Sequence, residues 1–285
     1  MTTVTAYGDP LGPRGRRRAL IASVVGGLVL LGLLAIAIGK FASAGQLDGE
    51  RWDELLSTDG AQAFWRGLRA TLKAAAAAVA LSVTVGTVMA LGRLSQRRVV
   101  RALAGTYVQL FRALPSLLLI LFGFFGLPAL GIDVSKYWAL VIGLTLYNSA
   151  IFAEVIRAGV LSLPRGQAEA AYAVGMTRGQ AQRLVVLPQA VSRMLPSLVA
   201  QGVVVLKDTS YGFVIGYEEL LRTGQFAGES TASLLQAYLI VAIVYVAVCF
   251  ALSQLARWLE GRQARRYGHA AVVAPGVEDL AVVQR

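Results

Sequence analysis

The chain has 285 residues, of which 56% are hydrophobic, and its formal net charge is +11. Soluble domains contain about 45–50% apolar residues. The excess here lies in long runs, so a lipid bilayer is the expected solvent. The basic residues cluster beside these runs, which disfavours a nucleic-acid-binding protein. A single cysteine, Cys249, excludes a disulfide within the chain, and the lone His269 in a polar tail disfavours a histidine hydrolase or a metal enzyme.

The first apolar run, Ala19–Gly39, follows a basic segment of residues 1–18 that holds four arginines. A membrane-spanning helix needs about 20 apolar residues, whereas the apolar region of a signal peptide has about 7–15. The run is longer than that, and Lys40 and Phe41 make a poor cleavage site. We therefore predict a retained N-terminal membrane helix, followed by an acidic external loop over residues 40–64 that can include a short surface helix.

Five further apolar runs predict an all-α fold with six transmembrane helices in total. These runs are Leu68–Gly92, Leu103–Leu127, Tyr137–Ile156, Pro196–Gly216 and Leu234–Trp258. Arg112 and Pro115 interrupt the second of them. They mark either a break between an interfacial helix and a span, or an arginine that snorkels at the membrane surface.

Six spans place both termini on one side of the membrane. The segments on that side carry 17 Lys and Arg residues against 6 on the other, so the positive-inside rule assigns both termini to the cytoplasm. The expected location is the plasma or inner membrane. Residues 261–285 are predicted to form a disordered cytoplasmic tail.

The longest predicted cytoplasmic loop, residues 162–195, carries a helix–turn–helix pattern. Pro164 suits the first turn of a helix over Arg165–Val174. Gly175 supplies the left-handed residue that ends this helix. The turn is predicted to be exposed and able to dock into a groove on a soluble partner.

A second short helix is predicted after the glycine turn. Thr177 and Gln180 have the spacing of a capping box, in which each side chain satisfies a backbone N–H of the other residue. This helix is predicted to end at about Leu187, before Pro188, because proline has no backbone N–H.

The loop resembles the EAA signature of permeases of binding-protein-dependent ABC importers, the MetI-like family. The signature is E-A-A, three residues, glycine, nine residues and I-x-L-P. The matching residues are Glu169, Ala170, Ala171, Gly175, Leu187 and Pro188, and Val185 replaces the isoleucine. The resemblance implies a type I importer fold with a five-helix core over residues 65–260, to which residues 19–39 add a helix. It also implies that Glu169–Gly175 is a coupling helix that contacts an ATPase.

Four further stretches resemble the polar amino acid branch of this family. They are Phe111–Pro115, Glu154–Gly159, Leu163–Gln167 and Leu206–Ser210. The whole pattern is most similar to the permeases of actinobacterial glutamate uptake systems. The resemblance implies a cytoplasmic ABC ATPase dimer, a second permease that is identical or homologous, and an external amino-acid-binding protein as partners.

Polar residues inside two predicted spans are candidates for a substrate pathway. They are Lys207, Asp208, Thr209 and Ser210 in the fifth span, and Asn148 and Glu154 in the fourth. Lys207 lies 11 residues past Pro196, about 16 Å along a helix and so near the bilayer midplane. An ionisable group there costs about 2.5–3.5 kcal/mol. Such residues either meet the charges of an amino acid or pair with another helix or subunit, and Glu154 also has the spacing to pair with Arg157.

No catalytic or metal-binding residues are predicted. The sequence lacks the G-x-x-x-x-G-K-[ST] phosphate loop, so ATP and Mg²⁺ are expected on a separate subunit, with no cofactor in this chain. The main rival function is an ion-gradient-driven secondary transporter or channel, with Lys207 and Asp208 as coupling residues. Inverted repeats would favour that rival, and none is evident. A membrane-embedded enzyme is the third possibility, but no nucleophile–base set is present.

Overall fold

The structure is a computed structural model that describes residues 12–267. These residues form helices and short connections, and no β-strand occurs among them. The α-helices are α1 (Pro13–Ser43), α2 (Glu50–Asp53), α3 (Thr58–Arg93), α4 (Arg98–Ala113), α5 (Ser116–Leu121), α6 (Leu127–Ala129), α7 (Lys136–Leu161), α8 (Arg165–Ala173), α9 (Arg178–Ala181), α10 (Leu187–Asp208), α11 (Leu220–Ser230) and α12 (Leu234–Tyr267).

Within residues 12–267, five segments are long and apolar enough to cross a bilayer, which confirms the predicted all-α membrane fold. They are Arg14–Ser43, Thr58–Arg93, Lys136–Leu161, Arg178–Ile215 and Leu234–Trp258. A sixth candidate span is broken, because α4 and the helix over Ser116–Ala129 meet at an angle of 99°. Leu114 adopts an extended conformation before Pro115, since proline disfavours a helical residue before it. Of the two interpretations of this interruption, the break between two helices is correct.

Helix α1 stands apart from the rest of the described chain, because no residue of its apolar window is buried. It is longer than the predicted run at both ends. The connection that follows is attached firmly to α12. Arg51 donates to the carbonyl of Ala232 at 2.9 Å, the Gln236 side chain donates to the carbonyl of Gln46, and Leu55 is buried. The region predicted as an external loop contains α2, in agreement with the short surface helix considered there, and the start of α3.

Helices α3 and α7 form the centre of the bundle through small residues. Ala74 and Ala78 of α3 are fully buried in the core cluster that also contains Leu144 and Phe152 of α7. A Cβ atom at Gly86 would lie 2.8 Å from the Ser149 carbonyl oxygen. Because lipid provides no hydrophobic drive for helix association, such close backbone approach supplies the packing energy instead.

The prediction that the second loop helix ends before Pro188 is wrong. A π-helical turn over Gln182–Val186 joins α9 to α10, and Pro188 lies in the first turn of α10. A π turn shifts the hydrogen-bonding register by one residue. The helix therefore continues past the proline. The predicted fifth span also begins too late, because Pro196 lies inside α10 and not at its start.

The midplane position predicted for Lys207 is counted from Pro196 as the start of the span, but α10 begins at Leu187, so the position stays a prediction. Lys207 lies in the last turn of α10, which ends at Asp208 and continues as a 3₁₀ helix over Thr209–Ile215. The Gln201 side chain bonds to Asn148 near the middle of α7. Lys207 is six residues further along, or about 9 Å towards the Lys136 end of α7.

Helix α12 continues beyond the predicted span to Tyr267, so it enters the segment assigned to the tail. The rest of that tail and residues 1–11 of the predicted basic terminus lie outside the described residues. Between α10 and α12, helix α11 is capped by Glu219, whose side chain accepts hydrogen bonds from the backbone N–H groups of Leu221 and Arg222.

Candidate coupling loop and polar pathway

The loop between α7 and α10, residues 162–186, has the helix–glycine–helix geometry predicted for it. Gly175 has a φ of +82°, the left-handed value that glycine adopts without strain. Its N–H donates to the Tyr172 carbonyl at 3.0 Å, and the Met176 N–H donates to the Ala171 carbonyl at 3.1 Å. These two bonds are the Schellman pattern that ends a helix. The capping box between Thr177 and Gln180 is also present.

The EAA residues divide between an inner and an outer surface of this loop. Ala171 is buried, whereas Glu169, Ala170 and Gly175 are exposed. Exposed apolar side chains flank the glycine turn, with Tyr172 at 43% and Val174 at 75% exposure. Leu187 is half-exposed at the start of α10, and Pro188 is partly buried.

Two side-chain hydrogen bonds attach the loop to the membrane helices at both ends. Gln189 of α10 donates to the Gln167 side chain of α8 at 2.9 Å. Arg193 of α10 donates to the Ser162 carbonyl at the end of α7 at 2.7 Å. Displacement of α8 would therefore move α7 and α10 together, as in a rigid-body transition.

Glu154 lies at the centre of an ion-pair cluster near the same end of the bundle. Its carboxylate is 2.6 Å from Arg93, 2.8 Å from Arg112 and 3.1 Å from Arg157. The predicted pairing of Glu154 with Arg157 is confirmed. Sequence analysis did not predict that Arg93 and Arg112 pair with Glu154, because these two arginines belong to other helices. The Glu154 cluster, defined by these four residues, joins α3, α4 and α7.

Asn148 and Thr209 use their polar groups within the described protein. Asn148 is fully buried, donates to the Leu144 carbonyl at 3.0 Å and accepts from Gln201 at 2.8 Å. Thr209 is also fully buried and donates to the Leu206 carbonyl at 2.7 Å. Both side chains thereby stabilise α10 and its packing against α7.

The remaining residues predicted for the pathway differ in exposure. Lys207 is exposed, whereas Asp208 and Ser210 are partly buried. The six predicted residues do not share one cavity: Glu154 lies nearer the Leu161 end of α7, Asn148 near its middle, and Lys207 beyond it. The structure instead contains a cavity of about 410 Å³ at the helix break. Its polar lining includes Arg112, Tyr147 and Tyr211, and the two tyrosines carried no signal in the sequence.

Glu219 is a buried carboxylate that sequence analysis also missed. Its side chain is fully buried, and besides the two backbone N–H groups it accepts a hydrogen bond from the Tyr245 hydroxyl at 3.0 Å. Burial raises the pKa of Glu219, and these hydrogen bonds partly oppose the increase. The cluster joins the start of α11 to α12.

Several membrane helices combined with an exposed helix–glycine–helix loop, which side-chain hydrogen bonds attach to the bundle, fit a membrane transport permease. Residues 82–265 match the family described as "Binding-protein-dependent transport system inner membrane component". The chain belongs to this family, and it is a multi-pass inner-membrane component. The predicted family is confirmed.

Named relatives are permeases for amino acids. The glutamate transport system permease protein GluD of Corynebacterium glutamicum is 38% identical over 78% of this chain and 82% of its own length. The probable glutamine ABC transporter permease protein GlnP of Bacillus subtilis is 37% identical over 70% of this chain and 93% of its own length. The predicted function, a permease of an amino acid ABC importer, is confirmed.

Solved structures agree with this assignment. A chain in the crystal structure of an amino acid ABC transporter with histidines is 33% identical, with a TM-score of 0.69 over 74% of this chain and 98% of the other. A chain of the inward-facing MetNI methionine ABC transporter has a TM-score of 0.56 at 19% identity, which supports the fold alone.

Proposed function

We propose that this chain imports glutamate or a related polar amino acid, using ATP hydrolysis by a separate ABC ATPase dimer. The observation that carries the proposal is the exposed loop around Gly175, attached to α7 and α10 by side-chain hydrogen bonds. The 38% identity to a glutamate permease supports the substrate. ATP and Mg²⁺ belong to the ATPase, because this chain has no phosphate loop.

The importer would contain a second permease, identical or homologous, and an external binding protein that delivers the amino acid. Both termini and the loop around Gly175 would face the cytoplasm, as the distribution of Lys and Arg favours. ATP binding would close the ATPase dimer and push α8. The Arg193–Ser162 and Gln189–Gln167 hydrogen bonds would pass this displacement to α10 and α7, which opens the pathway to the outside.

The coupling proposal is tested with Glu169, an exposed residue of α8. Glu169→Arg reverses a charge on the docking surface without changing the core, so the ATPase should no longer co-purify and ATP-driven uptake should be lost. Glu218→Arg, at an exposed carboxylate outside the loop, is the matched control and should retain both. Uptake into vesicles that follows an ion gradient without ATP would instead establish the secondary transporter or channel.

Lys207, Asp208 and Ser210 are the residues that we propose to line the pathway, where they meet the charged groups of the substrate. Asn148 and Thr209 would hold in place the helices that frame this pathway. Glu154 would join α3, α4 and α7 near the Leu161 end of α7. Asp208→Ala should lower uptake at least tenfold, the equivalent of about 1.4 kcal/mol, while assembly with the ATPase is unchanged. Normal uptake by this variant would remove Asp208 from the pathway.

A further inference from the structure

Helix α4 packs across the end of α3 and across the half of α7 between its middle and Leu161. Its Ala104 contacts Gly92 at the end of α3, and its Tyr107 hydroxyl is 2.8 Å from the Ser149 hydroxyl of α7. At its last turn Arg112 bonds to Glu154. The chain then turns by 99° into α5, which packs along α7 with Ile120 against Gly143. Because this second helix runs along α7, α4 runs nearly perpendicular to α7 and so roughly parallel to the membrane plane if α7 is a span.

The 16 residues of α4 divide into three faces. One face packs on α3 and α7 through the buried residues Ala104 and Val108. A second face is apolar but exposed, and it consists of Val99 (71%), Leu103 (68%) and Leu110 (52%). A third face carries Arg98 and Arg101, both exposed. At 100° per residue, this basic face lies on nearly the opposite side of the helix from the exposed apolar face.

The exposed arginines have no carboxylate partner in the described part of the chain. The ion pairs there all involve Glu154, and the Arg101 side chain donates a hydrogen bond to the Ser95 carbonyl at 3.5 Å. Arg97 extends this group at the start of the helix, where it is also exposed. Positive charge above an apolar stripe on an in-plane helix is the pattern of an interfacial helix that binds anionic lipid.

We propose that α4 is a lipid-binding helix: Arg98 and Arg101 bind the phosphate headgroups of anionic phospholipids, and Val99, Leu103 and Leu110 lie among the acyl chains. A free phosphate would use only the arginines, whereas the adjoining apolar stripe requires an amphiphile. The assignment to the cytoplasmic leaflet rests on the orientation given under the proposed function. In that leaflet, each basic residue close to the anionic headgroups should strengthen the binding constant for lipid about fivefold.

Bound lipid would also act on the transport machinery through the Glu154 cluster. Arg112, at the end of α4, contacts Glu154 of α7, and α7 leads directly into the loop that contains α8. Fixing α4 at the membrane surface therefore fixes the position of Arg112 relative to α7. Binding of anionic lipid should therefore raise the midpoint of thermal unfolding of the permease.

The test measures lipid retention by the purified permease, without the ATPase, by native mass spectrometry after reconstitution in mixed phosphatidylglycerol and phosphatidylcholine. The wild type should retain phosphatidylglycerol preferentially. Arg98→Gln/Arg101→Gln should reduce this preference by about 5- to 25-fold. Arg98→Lys/Arg101→Lys should preserve it, which separates charge from folding. The matched control, Arg178→Gln/Arg183→Gln, removes two exposed arginines from the loop between α7 and α10 and should have no effect.

Three results would overturn the proposal. The first is an unchanged preference in Arg98→Gln/Arg101→Gln, or an equal loss in the control. The second is displacement of phosphatidylglycerol by inorganic phosphate, which would indicate a soluble anion. The third is a cross-linked dimer of Leu103→Cys in a Cys249→Ala background, which would assign the apolar face to a second copy. Because no ATP is used, failure here would leave the importer proposal intact.

Discussion

Replacing Glu154 by glutamine should destabilise the permease more than the loss of an ordinary surface charge. The substitution keeps the side-chain volume but leaves Arg93, Arg112 and Arg157 facing one another without a counter-charge. Breaking a fully buried ion pair costs about 3–5 kcal/mol, and an exposed pair at most about 1 kcal/mol. The side chains of Glu154 and Arg93 are 24% and 17% exposed, and that of Arg112 is 47% exposed. We therefore expect a loss of about 2–3 kcal/mol.

Thermal unfolding of the purified permease measures this loss, which should lower the midpoint by about 5–10 °C. High salt should reduce the deficit, because the screening length falls from about 10 Å at 0.1 M to about 3 Å at 1 M. Arg112→Gln should cost less, since that side chain is half-exposed, and Glu218→Gln at an exposed carboxylate should cost nothing measurable. A Glu154→Gln midpoint equal to that of the wild type would refute the view that the cluster holds α3, α4 and α7 together.

Three further predictions concern the turn, the helix packing and the buried carboxylate. Gly175→Ala places a side chain at φ +82°, which costs about 1–2 kcal/mol and should lower the amount of amino acid imported per ATP. Gly166→Ala lies in the same loop with equally open surroundings and should leave the amount imported per ATP unchanged. Equal effects of the two substitutions would contradict the role of the turn. Gly86→Ala overpacks the α3–α7 contact and should cost about 1–3 kcal/mol of unfolding free energy. Gly202→Ala, in open space on α10, should be tolerated; a harmless Gly86→Ala would show that the helices can separate. Because the pKa of Glu219 is raised above its ordinary 4.5, the folded protein holds this proton more tightly than the unfolded chain. Its stabilising contribution is therefore complete below about pH 4.5 and is lost as the pH rises through the raised pKa. Thermal midpoints across the acidic range should show this decline in the wild type and a smaller one in Glu219→Gln; identical pH profiles would argue against it.

Features that depend on short stretches of chain were predictable from the amino-acid sequence. The apolar runs of about 20 residues indicated the spans, because a bilayer imposes a minimum helix length. The Gly175 turn and the Thr177–Gln180 capping box were predictable for a related reason. Their hydrogen bonds join residues within five positions of each other, so local composition is sufficient to specify them.

The contacts between helices were decided by the tertiary structure. Arg112 and Glu154 are 42 positions apart, and only the break at Pro115 and the packing of α4 across α7 bring them together. Pro188 ends no helix, because it lies in the first turn of α10, directly after the π turn. Lys207 lies towards the Lys136 end of α7 because the Gln201–Asn148 contact sets the depth of α10 against α7. Which side chains meet depends on the rotation and depth of whole helices, and those are set by close packing at residues such as Gly86 rather than by any local pattern.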